Sequence, residues 1–418
     1  MIELLIFLIG LLFYASYGLT GLAYLAAVTV LSYLAGRLQK KLRWLVWPCV
    51  VLNVLALLLV KLQAPLGLSF AAPLGISYFT LQVISYHIDI HRGILQPERN
   101  FLRYGLFVSY FPHVSMGPIE RYETMSRALS RRKICWDGIS LGALRAVWGL
   151  AKKLIIASRL GVIIGAISAD TEAFRGGYAL CAMILYSLQL YCDFSGGIDT
   201  VLGVSRMLGL TLSENFDAPF LSQSFQEFWR RWHMTLGSWL RQYIYIPLGG
   251  NRKGKLRKTV NLLITFLVSG LWHGVDYILW GLFNGIFVAF GKSLQTKWKL
   301  LNRLATFLLV SLLWCFFIWP NAGTAMEMLA SVFTEWNWLS VPAGIAAMGL
   351  TLGDWLVAAA ALAALGVYDC RREAVNGWLL RRSPWQRTAL LCALGLTVLV
   401  FGMYGIGFDA AAFIYSNF

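Results

Sequence analysis

Apolar stretches long enough to cross a lipid bilayer recur from one end of this chain to the other, and no other feature restricts its fold so severely. A helical span needs about 20 residues. Gly21–Leu38, Trp44–Val60, Val260–Trp272, Tyr277–Phe290, Ala305–Trp319 and Val341–Gly366 are segments of this kind or close to it. Only 13% of the 418 residues are charged and 58% are hydrophobic, whereas a soluble chain carries about 25% charged residues. No charge-rich linker divides the sequence, so residues 1–418 read as a single membrane domain. The first run, Met1–Leu38, lacks a basic start and a small-residue cleavage site, and it reads as two retained spans. The expectation is an all-α polytopic membrane protein with about eleven transmembrane helices.

Charge distribution sets the orientation. The formal net charge is +16, but the cations are gathered in separate loops: Lys40, Lys41 and Arg43; Arg92, Arg99 and Arg103; Arg121 to Lys133; Arg252 to Lys258; Lys292 to Arg303; and Arg371 to Arg387. Loops between them, around Asp170–Glu172, Asp276 and Glu327–Glu335, lean acidic. That alternation is the signature of basic loops retained in the cytoplasm. It accounts for the charge without a nucleic-acid partner. It places the N-terminus inside and the C-terminus outside. The seven cysteines are scattered and form no C-x-x-C pair, so neither a disulfide framework nor a thiolate metal site is expected.

The middle third breaks the regular pattern. Phe101–Gly117 is apolar but interrupted, as expected of a segment that enters the membrane without crossing. Arg145, Lys152, Lys153 and Arg159 punctuate a helical stretch, which suggests a helix lying at the cytoplasmic surface. No clean span is visible between Asp193 and Lys258, a stretch rich in polar and aromatic residues. Irregular backbone at membrane depth is tolerated only where protein buries it or a watery cavity solvates it, so this region is expected to line a cavity. Gln223–Arg241 has helical periodicity: Trp229, Trp232, Leu236, Trp239 and Leu240 share one face with His233, while Glu227, Arg230, Arg231, Ser238 and Arg241 occupy the other. Such a helix suits a membrane interface. No internal repeat is visible, which argues against a transporter built from repeated halves.

Among the five histidines, His273 stands out. Counting from Lys258 along a continuous helix, it lies about 20 Å into the membrane, where an ionisable group is costly and points to function. Neutral imidazole suits a general base, and Gly270 and Gly274 permit close approach of a substrate or another backbone. A core histidine bonded to a carbonyl is the competing account. His87 and His91 share a helix face, but no third ligand is evident, and they read as structural. His113 has no assigned role. Asp193 ends an apolar run before Gly196 and Gly197, where it can cap the next helix or orient a histidine. No serine-hydrolase, Walker A or dinucleotide motif is present.

Several segments together resemble the membrane-bound O-acyltransferase family: Pro73-Leu74-Gly75-Ile76-Ser77-Tyr78-Phe79-Thr80, Gly117-Pro118-Ile119-Glu120-Arg121, Tyr191-Cys192-Asp193-Phe194-Ser195-Gly196 and Glu214-Asn215-Phe216. So do Glu227-Phe228-Trp229-Arg230-Arg231-Trp232-His233, Tyr245-Ile246-Pro247-Leu248-Gly249-Gly250-Asn251-Arg252 and, most specifically, Ser269-Gly270-Leu271-Trp272-His273-Gly274. They define a motif core over residues 73–285. Their order resembles the branch that modifies bacterial cell-surface polysaccharides, which includes alginate O-acetylation and teichoic-acid D-alanylation. Gln242 and Gly197 depart from that pattern.

The resemblance implies helices, some re-entrant or interfacial, around a central funnel in a bacterial cytoplasmic membrane. It implies His273 and His233 as catalytic residues. Tyr191, Asp193, Asn215, Trp229, Arg230, Arg231, Trp239, Arg241 and Trp272 are the candidate substrate-binding residues. It implies no bound cofactor or metal; the acyl donor is acetyl-CoA or an acyl carrier thioester. The expected partners are that donor, membrane lipids, and an extracellular protein that completes polysaccharide acylation. D-alanyl transfer is the alternative within enzymes, and a glycan transporter or export channel is the alternative outside them.

Overall fold

A computed structural model describes residues 2–63, 65–114, 116–291 and 295–404. Helix accounts for 76% of the described residues, and no strand occurs among them. An all-helical chain satisfies its backbone hydrogen bonds within each segment, as lipid requires. Among the described residues, five helical stretches are long and apolar enough to cross a membrane: Leu19–Gln39, Arg43–Lys61, Lys299–Ile318, Leu352–Cys370 and Pro384–Phe401. Ile2–Ser16 and Val275–Phe290 are apolar but shorter. The count of about eleven from sequence therefore includes segments that are not full-length, uninterrupted spans.

The described residues divide into two compact units: residues 2–139 with 204–214, and residues 140–203 with 215–404. The first unit contains α1 (Ile2–Ser16), α2 (Leu19–Gln39), α3 (Val46–Lys61), α4 (Ile76–His91), α5 (Phe101–Ser109), α6 (Phe111–Val114) and α7 (Tyr122–Ser130). Along α1 to α3, Leu12, Leu31, Leu52 and Leu55 are exposed, as side chains facing lipid would be. By contrast, α4 is buried along nearly its whole length. It packs through an aromatic cluster in which Tyr86 lies 4.8 Å from Tyr104 and 5.1 Å from Tyr122, centroid to centroid. His87 is tied to Gln39 by two contacts: Nδ1 to Oε1 at 2.9 Å, and Gln39 Nε2 donating to the His87 carbonyl at 2.8 Å. The break between α5 and α6 matches the interruption expected in Phe101–Gly117.

The second unit takes in most of α8 (Trp136–Ala151), then α9 (Ser158–Ala169), most of α10 (Gly177–Met207), α11 (Phe225–Arg231), α12 (Met234–Leu240), α13 (Gly254–His273), α14 (Ile278–Phe290) and α15 (Lys299–Leu313). It continues with α16 (Cys315–Ile318), α17 (Ala322–Thr334), α18 (Val341–Ala346), α19 (Leu352–Cys370), α20 (Arg372–Leu380) and α21 (Pro384–Phe401). One of its closest backbone approaches lies between α8 and α10. A Cβ on Gly196 would meet the Gly149 carbonyl at 2.6 Å, and one on Gly203 would meet the Gly142 carbonyl at 2.4 Å. Only glycine permits backbones to approach so closely, a recurrent device in membrane helix packing.

Two expectations are corrected here. Asp193 does not end a helix: α10 runs through Gly196 and Gly197 to Met207. Nor do Arg145, Lys152, Lys153 and Arg159 lie along a surface helix. Lys152 is 3% exposed and Arg159 is 6% exposed. Lys152 Nζ donates to Asp199 at 2.6 Å and to Ser195 Oγ at 2.7 Å, and Arg145 holds the same Asp199 at 2.8 Å. Lys153 pairs with Asp193 at 2.6 Å. Arg159 pairs with Asp354 at 3.2 Å and donates to the Phe401 carbonyl at 2.7 Å. A wide π-turn at Lys152–Ala157 joins α8 to α9, and all four cations meet acids of α10 or α19, with Lys152 and Arg159 buried and Arg145 and Lys153 half-buried.

Candidate active site

The presumed single helix over Gln223–Arg241 is in fact two. Ser224 caps α11, its hydroxyl accepting the Glu227 N–H at 3.1 Å. The helix then stops: Trp232 is extended and His233 adopts a left-handed conformation with φ +45° before α12 begins. Residues 215–217 run beside the break. The Met234 N–H donates to the Asn215 carbonyl at 3.0 Å, and the Asp217 N–H donates to the Arg231 carbonyl at 3.0 Å. A left-handed non-glycine residue costs about 1–3 kcal/mol and persists where its surroundings over-determine it.

Those surroundings centre on Asn215, which is fully buried. Its Oδ1 accepts the Thr235 N–H at 3.1 Å and the Thr235 hydroxyl at 2.9 Å, and it lies 3.3 Å from His233 Nδ1. An amide oxygen only accepts, so this network assigns the proton to Nδ1 of His233. Nε2 is left as an acceptor, and it is buried without a hydrogen-bond partner. Burial lowers the His233 pKa to about 3, keeping the ring neutral. Phe194 packs edge-on against it at 4.9 Å.

His273 is the last residue of α13, and it is 5% exposed. Gly274 ends the helix with φ +152°, its N–H returning to the Gly270 carbonyl at 3.0 Å. On the facing helix α14, Gly281 lets the two backbones touch: a Cβ on Gly270 would meet the Tyr277 carbonyl at 2.5 Å, and one on Gly281 the Phe266 carbonyl at 2.4 Å. The imidazole is caged by aromatic rings, with Trp272 at 4.7 Å, Trp280 at 5.3 Å, Phe317 at 5.4 Å and Tyr277 at 6.1 Å. Trp272 also reaches His233, at 6.2 Å. One indole thus contacts both imidazoles, although they are 40 residues apart in sequence.

The remaining sequence candidates fall into separate groups. Trp229 belongs with His273. It meets Trp280 at 5.5 Å, and its Nε1–H donates to Asn284 Oδ1 at 3.1 Å. Tyr191 packs on Phe220 at 5.3 Å and lies 6.2 Å from Trp232, while its hydroxyl donates to Asp369 at 2.8 Å. Asp193 holds Lys153. Arg231 is committed to Glu227 at 2.9 Å and Asp217 at 3.7 Å, and Arg230 is exposed. Trp239 packs on Tyr243 at 5.1 Å. Arg241 faces a separate basic cavity. Among the described residues no three His, Cys, Asp or Glu side chains group as metal ligands.

Sequence reasoning missed Trp280, Asn284, Trp314, Phe317 and Asp369. Asn284 carried a signal, being an amide inside the apolar run of α14, where an unpaired polar group is costly. The aromatic residues carried none, because in an apolar helix they look like any core residue.

The model of the membrane-bound O-acyltransferase family matches residues 98–326, more than half of the chain. The chain is 37% identical over 392 residues to "Probable alginate O-acetylase AlgI" of Pseudomonas fluorescens, covering 88% of this chain and 77% of that protein. It is 33% identical over 309 residues to "Peptidoglycan O-acetyltransferase" of Helicobacter pylori, covering 65% and 57%. To "Teichoic acid D-alanyltransferase" of Streptococcus thermophilus it is 29% identical over 296 residues, covering 66% and 71%.

Proposed function

This multi-pass membrane chain belongs to the membrane-bound O-acyltransferase family and is an O-acyltransferase, and we propose that it moves an acetyl group from a cytoplasmic thioester toward a cell-surface polysaccharide. The observation that carries the mechanism is the pair of buried imidazoles bracketing Trp272. An alcohol has a pKa far above 7, so attack on a thioester needs a base within hydrogen-bond reach. In this reading His273 takes the proton of the acceptor hydroxyl as its oxygen attacks the thioester carbonyl carbon. The new C–O bond forms, the C–S bond breaks, and the proton passes from His273 to the departing thiolate. The aromatic cage excludes water, which protects the thioester from hydrolysis.

His233 has a different part. With its proton committed to Asn215, it offers Nε2 as an acceptor. It therefore suits holding an N–H or O–H of donor or acceptor in place, and it does not suit stabilising an oxyanion, which requires a donor. Trp229, Trp272 and Tyr191 would wall the acyl path, with Asn215 fixing His233. Asp193, Trp239, Arg230, Arg231 and Arg241 would support the donor side. The greater identity to the alginate relative than to the D-alanyl relative favours acetyl. Basic loops at Lys40, Arg99, Arg252 and Arg381 would face the cytoplasm and Glu335 the exterior, in a bacterial cytoplasmic membrane, with an extracellular protein completing transfer to glycan.

The test is transfer of labelled acetyl from acetyl-CoA by protein in liposomes, with candidate acceptor proteins, beside D-alanyl donor on a carrier. His273→Gln keeps polarity and approximate volume but cannot take up a proton at neutral pH. A fall of about 10²-fold or more is expected, the scale of general base catalysis. Near-normal turnover by the Gln variant would rule out proton abstraction by His273. Label arriving only from the D-alanyl donor would replace acetylation with D-alanylation.

A further inference from the structure

Residues 215–217 run beside the break that holds His233, and two backbone bonds join them to it. The Asn215 carbonyl accepts the Met234 N–H, and the Asp217 N–H donates to the Arg231 carbonyl. In a pairing of this kind successive backbone groups point to opposite sides, so the Phe216 carbonyl is directed away from the break. Its partner comes from a distant part of the sequence. Arg372 Nη1 donates to the Phe216 carbonyl at 2.8 Å and lies 3.6 Å from the Asp217 carboxylate. Asp217 in turn meets Arg231 at 3.7 Å. Three residues before Arg372, Asp369 accepts the Tyr191 hydroxyl at 2.8 Å. The Tyr191 ring lies 6.0 Å from Phe216 and 6.2 Å from Trp232, the residue before His233.

Both groups sit at the junction of α19 and α20. Apolar packing does not account for them, because α19 buries Ala358 and Leu365 while Leu356 and Val367 are exposed. Backbone strain at the site explains the need for such a tie. Among the described residues, two non-glycine residues are left-handed: Ala218 with φ +43° and His233 with φ +45°. Ala218 directly follows the 215–217 segment, and His233 lies in the break that the segment borders. Residues of this kind persist where their surroundings over-determine them. The two bonds between segment and break are internal to the strained region, whereas Arg372 grips it from outside.

We propose that Arg372 and Asp369 are positioning residues for His233. Arg372 fixes the 215–217 segment, and with it the Asn215 oxygen that orients the imidazole. Asp369 fixes the Tyr191 ring beside Trp232. The inference rests on the acyl-transfer reading above and adds the α19–α20 junction as the element on which the geometry of His233 depends. A displacement of about 1 Å at a reacting group can cost 10²-fold in rate, so a tie at this distance from the chemistry is felt in turnover.

The test takes two measurements on the full-length protein. The first needs no substrate: hydrogen exchange in nanodiscs, read by mass spectrometry on peptides that cover the Asp217 and Met234 amides. Arg372→Gln should speed exchange there by about tenfold or more. Arg371→Gln, at the exposed neighbouring arginine, should not. The second is acetyl transfer in liposomes, normalised to folded protein. Arg372→Gln and Asp369→Ala should each lower the rate by about tenfold or more. Arg372→Lys, which keeps a donor for the Phe216 carbonyl, should recover part of it. In a His233→Ala background the same changes should cost less than about twofold, because no imidazole is left to position. If Arg372→Gln does not fold, Asp369→Ala carries the cycle. Unchanged exchange at the two amides overturns the inference. So does a loss that multiplies in full with that of His233→Ala, which would make these contacts structural. Failure of the acyl-transfer reading is separately visible: wild type would transfer no acetyl, while the exchange difference between the two arginine variants would stand.

Discussion

Asn215 illustrates how one side chain can fix both a backbone and a proton. Its oxygen serves Thr235 twice and His233 once. Asn215→Ala would leave a buried N–H, a hydroxyl and an imidazole without their acceptor, at about 1–3 kcal/mol. The expected result is a lower thermal midpoint together with a loss of transfer larger than unfolding explains. An unchanged rate in the folded fraction would reduce the His233 tautomer to a structural detail. Glu120 gives a pH-dependent counterpart in the first unit. It is 1% exposed and accepts the Ser213 hydroxyl at 3.0 Å. Burial outweighs the Ser213 bonds and raises its pKa from 4.5 to about 7. A carboxyl with a raised folded pKa contributes its full stability below pH 4.5. It loses that contribution as pH climbs toward 7, because the unfolded chain ionises first. The difference is on the order of 3 kcal/mol. Glu120→Gln should flatten the decline in midpoint between pH 4.5 and 7; an identical slope in wild type and variant would show that other groups set it.

At the scale of elements, the contact of α8 with α10 is the tightest claim. Gly203→Ala would place a methyl 2.4 Å from the Gly142 carbonyl and 2.6 Å from the Ala146 nitrogen. Overpacking of this sort costs about 1–3 kcal/mol, and thermal unfolding in detergent should report it. Gly366→Ala is the matched control: that position in α19 has open space around it, and alanine favours a helix. Equal midpoints for the two variants would mean that the helices part without cost. The long elements were legible in the sequence, since apolar length alone marks α2, α3 and α19. So was the helix that carries His273. The break at His233 was not, because its cause is Asn215, distant in sequence, while the local 3.6-residue period runs straight through it. The buried cations were misread for the same reason: the acids that neutralise Arg145 and Lys152 lie 54 and 47 residues away, and a cation in an apolar helix with no local partner looks like one at an interface. Motifs named His233 and His273 together with Trp229 and Trp272, but not Trp280, Trp314 or Phe317, the other rings packed around them.

Across the whole molecule, 36 basic residues face 20 acidic ones, and the two populations are not mixed evenly. Asp193, Asp199 and Asp354 are spent against cations inside the second unit. The unbalanced charge therefore falls on the loops, and Arg252 and Lys253 sit within the densest of them. Such a surface would act on solutes as well as on topology. It would enrich polyanions nearby before any of them is bound, over a range set by ions in solution: about 10 Å at 0.1 M salt and 3 Å at 1 M. The KM for a polyanionic donor should therefore rise several-fold over that range while kcat holds, in steady-state assays on the reconstituted protein. A KM indifferent to salt would mean that the donor arrives by diffusion alone. If this enrichment operates, the enzyme's appetite for its donor varies with the ionic strength of the cytoplasm, and osmotic shock would alter the acylation rate with no change in the protein.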